Sequence, residues 1–346
     1  MPPTAPSPAP IFNLLQGFHA SGVLNAAIQL GVFGALAKGP RAAAQVAAAV
    51  RCPERSAAIL CDALASTGLL HKESRRYRLS LDAAQFLVPG RPGYVGGAAR
   101  ILCDPALWDA FGRFAQAVRH GGTVLPFHAE TPGQRFWETF ADNSDAFAAP
   151  AAGYSESLLK RFLEDRAPSK VLDVACGSGL YGLTVAGHCP GAHVTLLDGA
   201  HVVPSVKKRA RELGLSKRVT CVGGDMFRTD LGGPYDAIIA SHVLHHFSPG
   251  TCETLLKRFA LALVPGGRLL VHEFVAAEDG VSNAHAAMFA AVMLAWTREG
   301  RTYSFSEYTR MFTKTGFSEP VLHAPPHLMS QFLVGERKVA RRPKKK

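Results

Sequence analysis

The amino-acid sequence predicts an α/β fold: a mostly parallel sheet with helices on both faces, preceded by a smaller helical domain. From Lys170 onward, apolar strand patterns alternate with helical patterns, as they do in parallel sheets. Residues 11–100 instead repeat apolar side chains at helical spacing. They also contain one alternating stretch, residues 69–80, which predicts a hairpin. Three helices and a hairpin predict a winged-helix-like arrangement.

Glycine and proline mark the boundaries of the predicted elements. An apolar helix from Leu14 to Leu30 precedes LGVFGAL, a second helix follows Pro40, and a third runs from Pro53 to Gly68. Helical segments broken by glycine and proline fill residues 101–165, which predict a linker. The strand patterns that follow are VLDVA, VTLLD, VTCVGGD, YDAIIAS and RLLVHEFV, with helices predicted at residues 180–187, 203–213 and 252–263, the last ending at Pro265-Gly266-Gly267.

The composition is that of an ordinary globular protein, with 47% hydrophobic and 19% charged residues. Residues 1–10 are rich in proline and lack the features of a signal peptide, so we expect a disordered leader. No apolar run reaches the roughly 20 residues that span a bilayer. The seven cysteines are scattered without a CxxC pair, which indicates reduced thiols. Together these features predict a cytoplasmic protein without a membrane partner.

The net charge of +11 is concentrated at the C-terminus. Residues 337–346 carry seven lysines and arginines and no acid, which predicts a basic disordered tail rather than a folded basic surface. The helix that would enter a DNA groove in a winged-helix protein, residues 56–67, contains Asp62 and no lysine or arginine. Specific nucleic-acid binding is therefore not expected.

Polar residues follow each predicted strand of the sheet. In an open parallel sheet, ligands bind beyond the carboxyl ends of the strands, so these residues are the candidates for a binding site. They are Asp173 and the turn 175–179 after the first strand, Asp198 and Gly199 after the second, Asp225, Met226 and Phe227 after the third, Ser241 and His242 after the fourth, and Glu273 after the fifth.

The glycine turn within residues 171–182, VLDVACGSGLYG, narrows the class of ligand. No Gly-Lys-Ser/Thr follows, which excludes a P-loop. A dinucleotide site stays open, because Asp198 follows Gly179 at a spacing that suits an adenosine ribose. Ala175, however, stands where that fingerprint has its first glycine, and Asp173 would repel a pyrophosphate. Asp173 instead suits a ligand with a positive ammonium group.

The motifs VLDVACGSG, LLD, GGDMF and LVPGGRLLVHEF, in this order, resemble the class I S-adenosylmethionine-dependent methyltransferases. With the N-terminal helices, LGVFGAL and the hairpin, the sequence resembles the dimeric small-molecule O-methyltransferases of the caffeate and acetylserotonin type, in their bacterial form. The resemblance implies a seven-stranded Rossmann-like methyltransferase sheet in residues 166–336 and a homodimer formed through residues 11–100. It also implies that the linker 101–165 lines the substrate site.

The same resemblance implies S-adenosyl-L-methionine as the cofactor and S-adenosyl-L-homocysteine as its product. Glycines 177 and 179 would admit the methionine portion, Asp173 would face the ammonium group, and Asp198 would accept both ribose hydroxyls. Met226, with Asp225 and Phe227, would flank the adenine. The residues expected to bind the cofactor are Asp173, Ala175, Gly177, Gly179, Asp198, Gly199, Asp225, Met226, Phe227, Ser241 and His242.

The stretch SHVLHHF, residues 241–247, carries the predicted catalytic residues. Leu244-His245 matches the Leu-His pair of the related enzymes, so His245 is the candidate general base, and Glu273 could orient its ring. His246 replaces the usual aspartate and is either a further catalytic residue or a partly buried structural side chain. Phe247 replaces the usual tryptophan, and residues 301–304 depart from the family's Arg-Thr-Glu pattern.

The three histidines also raise a metal alternative. His242, His245 and His246 follow i, i+3, i+4 spacing and could share one helical face, and His285 could approach the same pocket. A metal held by two of them would polarise a keto acid toward C-methylation. No carboxylate with convincing ligand spacing joins them, so we predict a site without metal.

The helix predicted at residues 284–297 is either core or dimer packing or one wall of the acceptor pocket. The resemblance places it beside the acceptor, and it implies a pocket formed by Phe147, Tyr154, His285, Met288, Phe289, Met293 and Trp296. Such a pocket suits a flat or lipophilic small molecule. We therefore predict O-methylation of a phenolic or enolic hydroxyl, with C-methylation of a keto acid or an aromatic carbon as the first alternative. A winged-helix regulator with a cofactor-sensing domain is the third.

Overall fold

In the computed structural model, which describes residues 6–339, the chain divides into two units, Met1–Asp104 and Pro105–Lys346. Residues 105–165 of the predicted linker belong to the second unit. Each unit has a hydrophobic core of its own. In the part of the chain that the structure covers, no helix combines the length and apolar character needed to cross a membrane.

The first unit has the predicted helices and hairpin. Its elements are α1 (Ala9–Leu30), α2 (Val32–Leu36), β1 (Arg41–Ala42), α3 (Ala43–Val50), α4 (Glu54–Ser66), β2 (Leu70–Glu73), β3 (Arg76–Leu79), α5 (Leu81–Phe86) and α6 (Ala98–Leu102). Strands β2 and β3 form the hairpin, and β1 adds a third antiparallel strand to it. Helix α1 begins at Ala9, within the predicted leader, whereas residues 1–5 lie outside the described residues.

Asp62 has a structural role in this unit. Its Oδ1 accepts hydrogen bonds from the hydroxyl of Tyr77 at 2.7 Å and from Nζ of Lys72 at 2.6 Å. Tyr77 is fully buried in the core of the unit. The acid of helix α4 therefore attaches the hairpin to that helix.

The second unit alternates helices and strands as predicted. Its helices are α7 (Pro105–Gly112), α8 (Phe114–His120), α9 (Phe136–Asn143), α10 (Asp145–Glu164), α11 (Leu180–His188), α12 (Val203–Glu212), α13 (Pro249–Ala262), α14 (Ala284–Trp296) and α15 (Phe305–Lys314). Its strands are β4 (Ser169–Val174), β5 (Ala192–Asp198), β6 (Val219–Gly223), β7 (Tyr235–Ser241), β8 (Leu263–Glu273), β9 (Val275–Ala276), β10 (Tyr303–Ser304), β11 (Val321–His323) and β12 (Gln331–Glu336). A 3₁₀ turn, Leu244–His246, follows β7.

The main sheet has seven strands in the order β11-β12-β8-β7-β4-β5-β6. Strands β6, β5, β4, β7 and β8 are parallel, and β12 runs antiparallel to both of its neighbours. Successive strand residues enter different cores: Val171 and Ile239 belong to one, Leu172 and Ile238 to the other. Burial on both faces is expected of parallel strands covered by helices. The predicted fold class is thus confirmed.

Two boundaries differ from the sequence prediction. Strand β8 begins at Leu263, ahead of the Pro-Gly-Gly stretch expected to precede it, because Leu263 already pairs with Tyr235 before the register shifts. At the other end of the chain, Arg337 and Lys338, assigned by sequence to the basic tail, form backbone hydrogen bonds with Gly267 and Gly316. Residues 340–346 of that tail lie outside the described residues.

Candidate functional site

The candidate residues meet at one edge of the sheet because the parallel strands end side by side. Val174 pairs with Leu197 of β5 and with Ala240 of β7, and Ser241 pairs with His272 of β8. The acid of β4, the acid of β5, the histidine stretch after β7 and the acid of β8 therefore lie at neighbouring strand ends, as the sequence predicts.

Two glycines of the turn after β4 have different roles. A Cβ on Gly179 would lie 2.8 Å from Cγ1 of Val206, so this glycine allows close packing against α12. A Cβ on Gly177 would have only the ring of Phe140, at 3.9 Å, as a neighbour. Both have positive φ angles, of 74° and 53°, which glycine adopts readily. Of the two, only Gly177 leaves room for a ligand, whereas the same role was predicted for both.

Gly182 was missed as a site residue. A Cβ there would lie 2.4 Å from Cδ2 of Leu196 and 2.9 Å from Cγ1 of Val194, so only glycine lets helix α11 pack this closely on the sheet. Its N–H also donates to Oδ2 of Asp173 at 2.9 Å. The signal was present, because glycines 177, 179 and 182 follow the G-x-G-x-x-G spacing, whose third glycine serves helix–strand packing. The first glycine of that spacing is therefore Gly177, and the expectation that Ala175 stands in its place is wrong.

Asp173 and Asp198 are carboxylates without a basic partner in ion-pair contact among the described residues. Asp173 is 1% exposed, and burial raises its pKa to about 7. Asp198 accepts the N–H of Gly177 on Oδ2 at 2.7 Å and the N–H of Gly199 on Oδ1 at 2.6 Å, and burial raises its pKa as well. Each oxygen of Asp198 keeps a second lone pair that can accept a ligand hydroxyl.

These carboxylates fit a cationic ligand that carries hydroxyl groups. A positive charge beside Asp173 would offset the cost of keeping a carboxylate buried, and hydroxyls beside Asp198 would use its free lone pairs. S-Adenosylmethionine has both features, so the residues present fit the cofactor.

The loop after β6 carries the predicted adenine residues. Oδ1 of Asp225 accepts the N–H of Phe227 at 2.8 Å, and the ring of Phe227 packs edge-on against Phe247 at 5.1 Å. Met226 is half-buried, and its carbonyl accepts a hydrogen bond from Nε of Arg258 at 3.1 Å. Arg258, on α13, could not be assigned this supporting role from sequence, because the contact joins residues 32 positions apart.

His245 and Glu273 form a buried pair. Nδ1 of His245 lies 2.5 Å from Oε2 of Glu273, and the two residues are 2% and 0% exposed. The other oxygen of Glu273 accepts the N–H groups of Leu244, at 2.8 Å, and His245, at 3.3 Å. Burial lowers the pKa of His245 to about 3 and raises that of Glu273. A neutral imidazole that donates from Nδ1 to the carboxylate keeps the lone pair of Nε2 free to take a proton.

The prediction that His242, His245 and His246 share one face of a helix is wrong. His242 has a positive φ of 53°, and only Leu244–His246 form a 3₁₀ turn, so no helical turn connects all three. The N–H of His242 donates to the carbonyl of His272 at 2.8 Å, and its ring packs 4.4 Å from the ring of His272. Burial lowers the pKa of His242 to about 4.

A carboxylate does join these histidines, contrary to the sequence expectation. The ligand atoms of His242, His245 and Glu273 lie within 4.8 Å of one another. Spacing along the sequence did not reveal this group, because Glu273 comes from the neighbouring strand. His285, the other proposed ligand, is exposed on α14 and does not belong to the group.

His246 packs beside the ring of His245, at 4.4 Å, and against helix α9. Its ring meets Trp137 edge-on at 5.4 Å, and its Nδ1 is buried without a hydrogen-bond partner. Burial holds its pKa well below the usual range. His246 also lines a cavity of about 430 Å³. The other residues that line this cavity come from two loops and the start of α13; they are Glu130, Phe247, Ser248, Thr251, Arg298 and Glu299. These ring contacts are packing contacts, which favours the structural alternative for His246.

Helix α14 presents its predicted acceptor residues to different surroundings. Phe289 packs edge-on against the ring of His245 at 4.8 Å. Met293 and Trp296 are buried in the protein, whereas His285 and Met288 are exposed. On α10, Phe147 is 43% exposed, and Tyr154 packs against Phe332 at 5.1 Å. Phe289 therefore lies beside His245, and the acceptor role of the other predicted residues stays a prediction.

His272 is a further site residue that the sequence prediction missed. Its Nδ1 lies 2.7 Å from the hydroxyl of Tyr181, its Nε2 lies 2.7 Å from Oγ of Ser330, and its ring stacks on Phe332 at 4.0 Å. A histidine inside the apolar strand RLLVHEFV was the available signal, but its partners lie 91 and 58 positions away.

Comparison with known sequences decides the family. Residues 12–89 match the O-methyltransferase dimerisation domain, and residues 111–318 match the O-methyltransferase domain. The chain belongs to this O-methyltransferase family. It is therefore an S-adenosylmethionine-dependent methyltransferase with an N-terminal dimerisation domain, as the resemblance implied.

Individual relatives match over nearly the whole chain. The 3-hydroxy-5-methyl-1-naphthoate 3-O-methyltransferase of Streptomyces sahachiroi is 30% identical over 329 residues, covering 92% of each chain. The acetylserotonin O-methyltransferase of Mus musculus is 31% identical over 341 residues, covering 91% of this chain and 85% of that one. Among solved structures, a candidate O-methyltransferase from Nostoc punctiforme matches with a TM-score of 0.90 and 34% identity, covering 96% of this chain and 100% of the other.

Proposed function

We propose that this O-methyltransferase methylates a phenolic or enolic hydroxyl of a small aromatic or lipophilic acceptor, with His245 as the general base. The observation that carries the proposal is the buried contact of 2.5 Å between Nδ1 of His245 and Oε2 of Glu273, at the strand ends that also present Asp173 and Asp198.

The cofactor would be held by residues of three neighbouring strand ends. Asp173 would face its positive amino group, Gly177 would let it approach the backbone, and Asp198 would accept its ribose hydroxyls. Asp225 and Met226 would flank the adenine. When bound, S-adenosylmethionine supplies an electrophilic methyl group on a sulfonium and leaves as S-adenosylhomocysteine.

His245 would remove the proton of the acceptor hydroxyl at Nε2. Glu273 keeps the opposite nitrogen protonated in the resting state and stabilises the imidazolium that forms, since its carboxylate lies beside Nδ1. Two backbone N–H groups hold this carboxylate in place. Phe289 packs on the imidazole and limits its rotation. Positioning of the hydroxyl contributes the rest of the acceleration.

The acceptor is proposed to be flat and aromatic. Phe289 and Phe274 pack together at 4.3 Å next to the imidazoles of His245 and His242. The two relatives compared above are named for a hydroxynaphthoate and for acetylserotonin, which are both aromatic. An aromatic lining and these names favour an aromatic acceptor over a sugar or a phosphate ester.

The proposed assembly is a homodimer formed through the N-terminal helices. Five large apolar side chains of α1 are more than half exposed within the chain, which is an apolar surface suited to a second copy; they are Ile11, Phe12, Leu14, Leu15 and Phe18. The seven cysteines are scattered along the sequence without a CxxC pair, which supports a reducing, cytoplasmic environment.

The test is turnover with cofactor carrying a labelled methyl group and a panel of phenols and keto acids. O-Methylated phenols as products support the proposal. Label recovered only on carbon would support the C-methylation alternative, and no transfer to any acceptor, with a DNA mobility shift instead, would support the regulator.

A further inference from the structure

Three potential metal ligands converge at the end of strands β7 and β8. They belong to His242, His245 and Glu273, each of which offers one ligand atom, and these three atoms lie within 4.8 Å of one another. Two imidazoles and one carboxylate are a ligand set that zinc uses in catalytic sites, where a fourth position stays open. A general base and its orienting carboxylate need only two of these groups, so His242 requires a separate explanation.

His242 is held in the group by an uncommon backbone conformation. Its φ of 53° lies in the left-handed region, which residues with a Cβ seldom occupy. The N–H of His242 is fixed by the carbonyl of His272, and its ring is enclosed by His272 at 4.4 Å and Phe274 at 5.0 Å. Conformations of this kind occur preferentially at functional sites.

The Nδ1 atom of His242 has no hydrogen-bond partner although it is buried. It lies 3.9 Å from Oε2 of Glu273, too far for a hydrogen bond. Buried polar atoms without partners are uncommon in folded proteins, and one explanation is an ion that the atom can bind. The side chain of His242 is 27% exposed, so an ion can reach the group from solvent.

Glu273 is arranged to share one oxygen between the two imidazoles. Its Oε1 accepts two backbone N–H groups, from Leu244 and His245, which leaves Oε2 directed at the histidines. A tetrahedral ion with bonds of about 2.1 Å keeps its ligand atoms about 3.4 Å apart. This value lies between the 2.5 Å and 3.9 Å that separate Oε2 from the two imidazoles, so both of these distances are close to what such an ion requires.

We propose that His242, His245 and Glu273 bind a divalent transition-metal ion such as Zn²⁺. A bound ion and the form of His245 that carries its proton on Nδ1 and accepts a proton at Nε2 would exclude one another. When the ion binds Nδ1 of His245, the proton on that atom is released to solvent and Nε2 takes up a proton from solvent, so the imidazole stays neutral with its single proton on Nε2. The lone pair that accepts the hydroxyl proton is thereby lost. Metal binding stands on the geometry alone, whereas the resulting inhibition of methyl transfer rests on the proposed function.

Binding of Zn²⁺ to the full-length protein, measured by calorimetry with metal analysis after gel filtration, tests the site. His242→Asn is the variant of choice, because asparagine tolerates the left-handed conformation and removes the imidazole. The matched control is His193→Asn, an exposed histidine at the opposite end of the sheet. We expect one ion per chain for the protein and for His193→Asn, and affinity at least about tenfold weaker for His242→Asn, by comparison with losses at other metal sites.

If the unmodified protein and folded His242→Asn bound Zn²⁺ with equal affinity, the proposed site would be overturned. It would also be overturned if His193→Asn lowered the affinity for Zn²⁺ as much as His242→Asn does. Co²⁺ absorption gives a second readout: the intense visible bands of a tetrahedral or five-coordinate site should appear in the protein and be absent in His242→Asn. If His242→Asn does not fold, the same two measurements on Glu273→Gln replace it, with the same expected loss. Zn²⁺ binding as expected without inhibition of methyl transfer would support the site and contradict the role of His245 as the base.

Discussion

Oε2 of Glu273 lies 2.5 Å from Nδ1 of His245, and both side chains are closed off from solvent. The contact joins the end of strand β8 to the 3₁₀ turn after β7. Since a buried carboxylate beside Nδ1 determines which imidazole nitrogen is free, the base function proposed for His245 depends on Glu273.

Replacing Glu273 by glutamine should therefore impair catalysis more than binding. We expect Glu273→Gln to lower kcat by on the order of 10²-fold, the lower range of what general-base catalysis contributes. The Michaelis constant for S-adenosylmethionine should change little, because the cofactor is proposed to bind at other strand ends. Steady-state kinetics checks this, with the exposed Glu319→Gln as control. An unchanged kcat would remove Glu273 from the mechanism.

The pH dependence of turnover follows from the burial of His245. Burial lowers the pKa of the imidazole to about 3, so the ring stays neutral, and competent as a base, well below the usual histidine range. At saturating cofactor and acceptor, kcat should not fall between pH 8 and about pH 5.5. Measuring kcat across this interval tests the expectation. An acid limb with a midpoint near 6.5 would mean that the base is solvent-exposed or is another group.

Asp173 should lower the stability of the cofactor-free enzyme at high pH. Its pKa is about 7 in the folded state, above the value of about 4 for an unfolded aspartate. The stability that the protonated carboxyl contributes is present in full below pH 4 and is lost as the pH rises through 7. Asp173→Asn should abolish this loss, which amounts to a few kcal/mol at most, and should weaken cofactor binding.

Thermal unfolding at pH 6 and pH 8 separates the two effects of Asp173→Asn. The unfolding temperature of the unmodified protein should drop between these pH values by more than that of the variant, and cofactor affinity from calorimetry should be lower in the variant. A variant that is less stable than the unmodified protein at pH 8 and binds the cofactor normally would contradict both parts.

Gly182 offers a test of the packing under the glycine turn. A Cβ there would lie 2.4 Å from Leu196 and 2.9 Å from Val194, so we expect Gly182→Ala to destabilise the protein by about 1–3 kcal/mol. Gly187 lies on the same helix, and a Cβ added to it would have nothing within 4 Å, so Gly187→Ala should stabilise by about 0.5–1 kcal/mol. Denaturant unfolding of both variants checks the opposite signs.

The sequence predicted the sheet and the positions of its polar strand ends because those signals are local. Apolar periodicity marks the strands, and the acids Asp173, Asp198 and Glu273 come directly at strand ends whose parallel arrangement brings them together. For the same reason, the sequence could predict that Glu273 lies close enough to His245 to orient its ring.

Other parts of the site depend on contacts that no local pattern contains. The hydrogen bond between Tyr181 and His272 spans 91 positions, and the one between Arg258 and Met226 spans 32. The spacing of the three histidines resembled a helix, but the left-handed backbone at His242 breaks it. Helix α14 is apolar all around, so periodicity could not show that Phe289 contacts His245.

The role of His245 as general base is tested most directly by single-turnover methyl transfer to a phenol in His245→Ala, with cofactor binding measured in parallel. We expect a rate lower by on the order of 10²-fold or more at pH 7, with cofactor affinity close to that of the unmodified enzyme. Transfer at the full rate from pH 6 to pH 9 in this variant would contradict His245 as the general base.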